Sequence, residues 1–355
     1  MGGRRARLKL PASPNVLVIE TGLVGEVLVV TPALRAFRKA FPGARVTALV
    51  SPGSAPLLVG NPSLNRLLPM PKEQRSGITR FLGLSAWIRA QRFDAALVFH
   101  TSFRSALLAA LSGVPVRAGL SSEGRGFLLT HKAGRDRAAY EVDEHLKVLG
   151  LLGVPADGQA MDLPLLPEER EEAARLLEDP PPGTRIVGLH PGASAAFRRW
   201  PAERFAELGA RLAGSGVRPV YAFGPKETPL ADAVDAWWRA HGLPAPRSVA
   251  PRTVRILGAL FERMDAVVTN NTGPMHVAAA VGAPGVFIHG PTPIARWHPP
   301  GDRWAAVYAQ DVACRPCDSP ACRMDRFHCL EAVSVDRVSE ALAGVMERFP
   351  GRRAA

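Results

Sequence analysis

The sequence predicts an α/β protein that contains two parallel sheets, each covered by helices on both faces. Short, continuous apolar runs alternate with helical segments, as in the buried strands and crossover helices of a parallel sheet. The alternation stops at a proline cluster, residues 180–183, and then begins again. We therefore expect two doubly wound, Rossmann-like domains that face a cleft, with ligands beyond the carboxyl ends of the strands.

Each predicted element follows from its apolar pattern. In the first half, the predicted strands are 16–19, 46–50, 66–68 and 95–99, and the predicted helices are 27–41, 78–91 and 102–111. In the second half, the strands are 186–189, 219–223, 266–268 and 285–288, and the helices are 168–177, 202–213, 230–241, 253–261 and 335–349. The domains are therefore predicted as 1–165 and 183–333, joined by a linker helix and proline-rich boundary at 166–182.

Composition limits the class of protein. The chain has 355 residues and is 47% hydrophobic, which predicts large cores rather than disorder. No apolar run approaches the roughly 20 residues of a membrane span, and no secretory signal pattern is present, so we expect a cytoplasmic protein. The formal net charge of +12 favours anionic partners, such as nucleotides or an anionic membrane face. The basic residues are not interleaved with aromatics, so nucleic-acid binding is not expected.

The most informative stretch is the polar turn at 270–276, NNTGPMH, between two apolar runs. Asn271 or Thr272 is suited to cap a following helix, and Pro274 is tolerated in its first turn. Free backbone N–H groups and the positive end of the helix dipole would then point at one spot, which suits a phosphate. A well-capped helix without a ligand is the alternative interpretation.

A second turn follows the first predicted strand and contains Gly22, Gly25 and Glu26. The two glycines permit close backbone approach, and a carboxylate at such a turn is a candidate general base. Alternatively, Glu26 only favours the dipole of the helix that it begins. The G-x-G-x-x-G fingerprint is absent here, which argues against a dinucleotide-dependent dehydrogenase.

Two further turns carry charged residues. Arg198 and Arg199 follow the Gly/Ser turn after strand 186–189, and guanidinium groups bind phosphate oxygens bidentately. Glu227 follows strand 219–223, where an acid often accepts hydrogen bonds from ribose hydroxyls. A solvated basic loop and a solvated glutamate are the respective alternatives.

The cysteines form one late cluster with the pattern C-x2-C-x4-C-x6-C. Its members are Cys314, Cys317, Cys322 and Cys329. Four soft ligands within so short a segment suit a structural zinc ion or an iron–sulfur cluster that staples a loop. Reduced thiols without metal and redox disulfides remain alternatives.

Taken together, these motifs resemble glycosyltransferase family 9, the lipopolysaccharide heptosyltransferases. The similarity covers nearly the whole chain and includes NVLVIETGLVGEVLVVTPALRAFRKAFPGARVTALV, GLHPGAS, RRWPAERFAEL and NNTGPMHVAAAVGAPGVFIHGPT. The cysteine set is similar to the heptosyltransferase II branch. The resemblance implies a GT-B fold, with the acceptor bound by the first domain and the nucleotide sugar by the second. It also implies that the last helix, 334–350, packs back on the first domain.

The same resemblance implies an inverting sugar transfer without a catalytic metal. By default, heptose would move from ADP-heptose to a glycolipid or lipopolysaccharide-core acceptor at the inner face of the cytoplasmic membrane, with the enzyme bound peripherally. Glu26 takes the position of the family's catalytic Asp, with Gly22 and Gly25 in the same turn. The implied donor-binding residues are Arg198, Arg199, Glu227, Asn271, Thr272, Gly273, Pro274, Met275 and His276.

Two positions depart from the family pattern. Glu26 and Asn271 each stand where the family usually has Asp, and Asn271 carries no charge at a position that contacts the donor sugar. Another nucleotide sugar, such as a deoxyhexose or N-acetylhexosamine donor, is therefore an alternative. A non-catalytic protein that binds sugar nucleotides is a second alternative.

Overall fold

The structure is a computed structural model that describes residues 10–70, 77–178, 180–319, 321–322, 324 and 326–350. Residues 1–9 and 71–76 of the predicted first domain and residue 179 of the predicted linker lie outside these ranges. The chain divides into two compact units, Met1–Asp162 and Leu163–Ala355.

The first unit is built on one parallel, six-stranded sheet with the order β3-β2-β1-β4-β5-β6. Its strands are β1 (Asn15–Glu20), β2 (Arg45–Val50), β3 (Arg66–Pro69), β4 (Ala95–Val98), β5 (Val116–Ser121) and β6 (His131–Gly134). Its helices are α1 (Val24–Leu28), α2 (Thr31–Ala40), α3 (Ile78–Ala90), α4 (Phe103–Leu111) and α5 (Glu141–Gly150). The central strands β1 and β4 are almost entirely buried, as continuous apolar runs predict.

The single helix predicted over 27–41 is two helices, α1 and α2. Pro32 lies in the first turn of α2 and has no N–H to donate to the carbonyl of Leu28, four residues earlier. The hydroxyl of Thr31 donates to that carbonyl instead, at 2.6 Å. The proline therefore separates a short helix that carries Glu26 from the longer helix that packs on the sheet.

The second unit repeats the topology of the first, with the parallel strand order β12-β11-β10-β7-β8-β9. Its strands are β7 (Ile186–His190), β8 (Arg218–Ala222), β9 (Arg247–Val249), β10 (Ala266–Asn270), β11 (Gly285–His289) and β12 (Trp304–Tyr308). Its helices are α6 (Pro167–Leu177), α7 (Ala202–Gly214), α8 (Thr228–Ala240), α9 (Val254–Glu262), α10 (Gly273–Ala280), α11 (Ile294–Trp297), α12 (His328–Glu331) and α13 (Val335–Arg348).

Two boundaries differ from the sequence prediction. The division falls after Asp162 rather than after residue 165, and α6 belongs to the second unit, where it packs on α9. The last helix, expected over 334–350, lies in the second unit, and its packing against the first domain stays a prediction. Its residues Val338, Leu342 and Val345 are buried in the core beside β10, β11 and β12. The apolar face of α13 is thus covered by its own sheet.

The sequence analysis did not predict strands β5, β6, β9 and β12, nor helix α5. Strands β6, β9 and β12 lie at sheet edges and are short or only partly buried, so their apolar runs are weak. Parallel pairing with a neighbouring strand, rather than local propensity, makes them strands.

In both units the strand order reverses beside the first strand, between β1 and β4 and between β7 and β10. Ligands of doubly wound sheets bind at the carboxyl ends of the strands at this reversal. The turns singled out in the sequence follow β1, β7 and β10, so they lie at the two reversals.

Within the described residues, no helix is both long enough and apolar enough to cross a membrane.

Candidate active site

In the second unit, parallel pairing brings three polar turns to one edge of the sheet. His190, at the end of β7, pairs with Thr269 near the end of β10, and Leu189 pairs with Tyr221 near the end of β8. The turns that follow these strands are 191–201, 223–227 and 271–272. Residues that are distant in the sequence therefore meet at the carboxyl edge.

Asn270 joins the β10 turn to the β7 turn. Its Nδ2 donates to the carbonyls of Pro191, at 2.8 Å, and Gly192, at 3.2 Å, and its Oδ1 accepts from the backbone N–H of Trp200 at 2.9 Å. The side chain is fully buried, so each of these groups would otherwise lack a partner. Sequence analysis did not single out Asn270. Its only signal was a polar residue at the end of a buried apolar strand.

Arg198 and Arg199 lie in this cross-linked turn, and each is only partly exposed. The Arg198 guanidinium lies 5.2 Å from the centre of the Phe197 ring, and Nη2 of Arg199 donates to the carbonyl of Ala193 at 3.0 Å. In the part of the chain that the structure describes, the buried Nε of each arginine has no hydrogen-bond acceptor. Two cationic side chains therefore retain unsatisfied donors at the end of β7.

Glu227 from the β8 turn lies directly over Gly192 of the β7 turn. Its Oε2 accepts from the backbone N–H of Gly224 at 2.7 Å. A Cβ atom on Gly192 would approach Oε1 of Glu227 to 1.8 Å, so only glycine leaves room for this carboxylate. The predicted pair of turns is thus brought together in the structure, with a partly exposed carboxylate between them.

His190 is buried beneath Gly192 and Glu227. The backbone N–H of Gly192 donates to its Nδ1 at 3.0 Å, and Oε2 of Glu227 is 4.0 Å from that nitrogen. Burial lowers the pKa of His190, and the Glu227 carboxylate opposes this shift. A neutral imidazole that accepts at Nδ1 holds its proton on Nε2.

The turn after β10 begins α10 as predicted, but it is not capped as predicted. Thr272 is the N-cap residue and Pro274 lies in the first turn, yet the Thr272 side chain makes no capping hydrogen bond. The Thr272 hydroxyl points to the carbonyl of Asn270, and the amide of Asn271 contacts His289. The positive end of α10 is therefore not capped by the side chain of its own N-cap residue.

The remaining predicted donor residues differ in what they present. Gly273 is the first residue of α10, and Met275 uses its N–H for the carbonyl of Thr272 at 3.1 Å while its side chain is fully buried. His276 is buried as well and packs edge-on against Trp297, with 5.9 Å between ring centres. Met275 and His276 therefore support the turn from beneath.

In the first unit, the turn after β1 holds Glu26 close to Gly22. Oε2 of Glu26 accepts from the N–H of Leu23 at 2.7 Å, and Gly25 lies beside it in α1. The carbonyl of Gly22 accepts from the hydroxyls of Ser51 and Ser54, both at 2.9 Å. The turn is thus fixed on both sides, and Glu26 also fulfils the alternative interpretation, since it lies in the first turn of a helix.

Glu20, the last residue of β1, is a second carboxyl group in this turn that sequence analysis missed. Its Oε1 accepts from the N–H of Gly22 at 2.8 Å. A Cβ atom on Gly22 would lie within 2.8 Å of both carboxyl groups, which shows how closely Glu20 and Glu26 flank the glycine. Burial raises the pKa of Glu20 well above its usual value, and the negative charge of Glu26 raises it further. We therefore expect Glu20 to carry a proton beside Glu26.

The four cysteines of the sequence cluster line one pocket of the second unit. Cys314, Cys317, Cys322 and Cys329 are all free thiols, and Arg315 and His328 line the same pocket. Burial raises the pKa of the Cys329 thiol, Arg315 opposes this shift, and the other three thiols add to it. Among the described residues, which omit 320, 323 and 325 of this loop, no three His, Cys, Asp or Glu side chains form a ready metal site.

Comparison with solved structures establishes the fold. The chain superimposes on the glycosyl transferase family 9 protein from Veillonella parvula DSM 2008 with a TM-score of 0.84, at 21% identity, over 96% of this chain and 99% of that one. It superimposes on the ADP-heptose LPS heptosyltransferase II from E. coli with a TM-score of 0.78, at 23% identity, over 95% and 100% of the two chains. The fold is therefore that of the GT-B glycosyltransferases.

The family follows from the sequence. The family model described as "Glycosyltransferase family 9 (heptosyltransferase)" matches residues 82–328, which is more than half of the chain. The protein belongs to glycosyltransferase family 9 and is a glycosyltransferase. Lipopolysaccharide heptosyltransferase 2 of Escherichia coli (strain K12) is 29% identical over 291 residues, which span 78% of this chain and 83% of that protein.

We expect Glu20→Gln to stabilise the protein at alkaline pH. A raised pKa in the folded state means that the bound proton favours folding below about pH 4.5, the usual pKa, and that this contribution is lost as pH rises through the folded-state pKa. Gln keeps the acceptor for Gly22 but cannot ionise. The free energy of unfolding, measured with denaturant, should be higher than wild type by at least about 1 kcal/mol at pH 8.

The matched control is Glu203→Gln, which removes an exposed carboxylate on α7. This variant should follow the wild-type dependence of stability on pH. If Glu20→Gln follows that dependence too, Glu20 is not a protonated carboxyl group in the folded protein.

Proposed function

We propose that this protein transfers a heptose from ADP-heptose to a lipopolysaccharide-core or related cell-surface glycan acceptor. The transfer inverts the anomeric configuration and uses no catalytic metal. One observation carries the proposal. The three turns of the second unit gather two arginines, an uncapped helix start and an acid over a glycine at one sheet edge. The names of the similar proteins, lipopolysaccharide heptosyltransferase 2 and ADP-heptose LPS heptosyltransferase II, supply the default donor and acceptor.

The anionic half of the donor suits the cationic features of this edge. A diphosphate gains negative charge as the glycosidic bond to it breaks, and fixed positive groups stabilise that charge without reorganisation. Arg198 and Arg199 offer buried Nε donors that have no acceptor among the described residues. The start of α10 at Thr272 and Gly273 adds an uncompensated helix dipole. These groups can replace a metal ion as the counter-charge.

The nucleoside half of the donor suits Glu227. A carboxylate held by the Gly224 N–H and lying over Gly192 can accept two hydrogen bonds from the vicinal hydroxyls of a ribose. Glycine at position 192 allows the sugar and the backbone to approach closely. This arrangement favours a ribonucleotide donor.

Glu26 is the proposed general base. The acceptor hydroxyl gives its proton to the Glu26 carboxylate while its oxygen forms a bond to the anomeric carbon of the donor. The bond from that carbon to the phosphate oxygen breaks, and ADP leaves with the electron pair. A protonated Glu20 beside Glu26 adds no second negative charge to the turn and keeps Gly22 in place.

Asn271 favours a second candidate donor. It stands where the family usually has a carboxylate, so another nucleotide sugar, such as a deoxyhexose or N-acetylhexosamine donor, is the alternative. Titration calorimetry with ADP-, UDP- and GDP-linked sugars separates the two. Binding of ADP-heptose alone supports the proposal, and binding of no nucleotide sugar would contradict the donor site itself.

The positive net charge of the chain bears on where the enzyme would work in the cell. We propose that the enzyme works in the cytoplasm and associates peripherally with the anionic inner face of the membrane, where a glycolipid acceptor would lie. Its formal net charge of +12 favours such a surface.

The cysteine pocket supports one structural metal centre. We propose that Cys314, Cys317, Cys322 and Cys329 hold a zinc ion or an iron–sulfur cluster. All four thiols surround one pocket, and the Arg315 guanidinium offsets the charge of thiolate ligands. This centre would staple the loop and take no part in sugar transfer.

Removal of the proposed base should slow turnover strongly without preventing donor binding. We expect Glu26→Ala to lower kcat by at least about a hundredfold, because a positioned base contributes about that much. Glu26→Asp restores the carboxylate that the family usually has, and we expect it to stay within about tenfold of wild type. ADP release, followed in a coupled assay, measures both variants. Unchanged turnover by Glu26→Ala would refute the assignment.

A matched pair of glycines tests the ribose site. A Cβ atom on Gly192 would lie 1.8 Å from Oε1 of Glu227, whereas one on Gly224 would lie 3.4 Å from Oε2, an ordinary contact. We therefore expect Gly192→Ala to displace the carboxylate and raise the donor KM about tenfold, and Gly224→Ala to change it less than twofold. Equal effects of the two substitutions would show that Glu227 does not bind the donor.

Elemental analysis tests the metal centre. Protein purified under reducing conditions should contain zinc or iron in stoichiometric amount, and Cys317→Ser should lose that metal and lower Tm. Cys317→Ser should leave the donor KM within about twofold, because the proposed role is structural. Wild-type protein without stoichiometric metal would remove the proposal.

A further inference from the structure

A buried row of hydrogen-bonded side chains leads away from Asn271. Nδ2 of Asn271 lies 2.8 Å from Nδ1 of His289, and Nε2 of His289 lies 3.1 Å from Nδ1 of His298. Nε2 of His298 in turn lies 3.4 Å from the backbone carbonyl oxygen of Trp304. Asn271 and His289 are buried, so these contacts replace water.

The last member of the row sets its direction. A carbonyl oxygen only accepts, so His298 must hold its proton on Nε2. Nδ1 of a neutral His298 then accepts from Nε2–H of His289, and Nδ1 of a neutral His289 accepts in the same way. The group that donates to His289 is therefore the amide Nδ2–H of Asn271.

Both imidazoles are placed to stay neutral. Burial lowers the pKa of His289 well below its usual value and also lowers the pKa of His298. The groups that face His289 are His298, Arg315 and His276, and each of them disfavours a proton on it. No carboxylate is among these groups in the described part of the chain, so the row keeps one direction near neutral pH.

The direction of hydrogen-bond donation along the row fixes the orientation of the Asn271 carboxamide. Its N–H is committed to His289, and its backbone N–H donates to the carbonyl of Ile288 at 2.9 Å. The Oδ1 atom is thereby the group left for a ligand, because the hydrogen bonds found for Asn271 among the described residues use only its side-chain nitrogen and its backbone. Without His289, the amide could rotate and present either atom.

We propose that His289 and His298 are positioning residues that hold the oxygen of Asn271 as an acceptor for a hydroxyl group of the donor sugar. This inference rests on the proposed function. It accounts for Asn at a position where the family usually has Asp, because an oriented amide oxygen accepts the same hydrogen bond without a charge. The donor is then a sugar that offers a hydroxyl hydrogen to this oxygen.

A pair of substitutions at His289 tests the orientation, with ADP-heptose as the probe. Asn places an oxygen acceptor near the position of Nδ1, whereas Leu fills the space without an acceptor. We expect His289→Leu to raise the donor KM about tenfold, and His289→Asn to recover most of that loss. If both variants fold and have the wild-type KM, or if both lose affinity equally, His289 does not act through Asn271.

Because the family usually has Asp at this position, the family pattern alone suggests that Asn271→Asp would improve donor binding. We expect the opposite, namely weaker donor binding. The new carboxylate would face a nitrogen that accepts, so two acceptors would repel each other unless His289 takes up a proton. We expect a higher donor KM at pH 8 that recovers as the pH falls, whereas the wild-type KM should not recover in this way. A variant as good as wild type at pH 8 would overturn the proposal.

Nuclear magnetic resonance of the free protein distinguishes a wrong histidine orientation from a wrong proposed function. In uniformly ¹⁵N-His-labelled protein, with His289→Asn and His298→Gln used for assignment, both rings should be neutral with the proton on Nε2 at pH 7.5. A proton on Nδ1 of His289 would overturn the inference even if the enzyme transfers heptose. If the rings are as expected but wild-type protein neither binds nor turns over ADP-heptose, the proposed function fails, and with it the sugar contact.

Discussion

Parallel pairing is the constraint on which the site depends. In each unit, every strand runs in the same direction, so all the strands end at one edge of the sheet. Backbone groups beyond that edge have left the ladder and must find other partners or remain available to a ligand. Asn270 shows how this is managed, because one buried amide at the end of β10 satisfies three backbone groups of the turn that follows β7. Among the described residues, the buried Nε atoms of Arg198 and Arg199 have no hydrogen-bond partner, and together with the start of α10 they suit an anion.

The two units use the same topology for different chemistry. In the second unit the turns collect positive charge around a single carboxylate, Glu227, which fits an anionic donor. In the first unit the turn after β1 brings the carboxyl groups of Glu20 and Glu26 together at Gly22. Burial raises the pKa of Glu20, and the negative charge of Glu26 raises it further, so a proton is favoured on Glu20 beside Glu26. A fold shared by many enzymes thus acquires its chemistry from a few residues at the strand ends.

The departure at Asn271 is best understood together with its neighbours. An isolated Asn for Asp exchange removes a charge and leaves the orientation of the amide undefined. The His289 and His298 rings remove that ambiguity, since their direction is set by the carbonyl of Trp304. The three side chains form one unit, and the identity of the first is meaningful only in the presence of the others.

The sequence by itself determined the fold class, most of the central strands and the turns that hold the candidate site. These features depend on local patterns: apolar runs, glycine and proline placement, and polar residues at strand ends. Only the tertiary structure decided that Glu20 flanks Glu26, that Asn270 joins two turns, and that Asn271 donates to His289 rather than capping α10. It also decided that α6 and α13 belong to the second unit. Each of these depends on contacts between residues far apart in the sequence or on the direction of a buried side chain, and neither leaves a periodic signal in the chain.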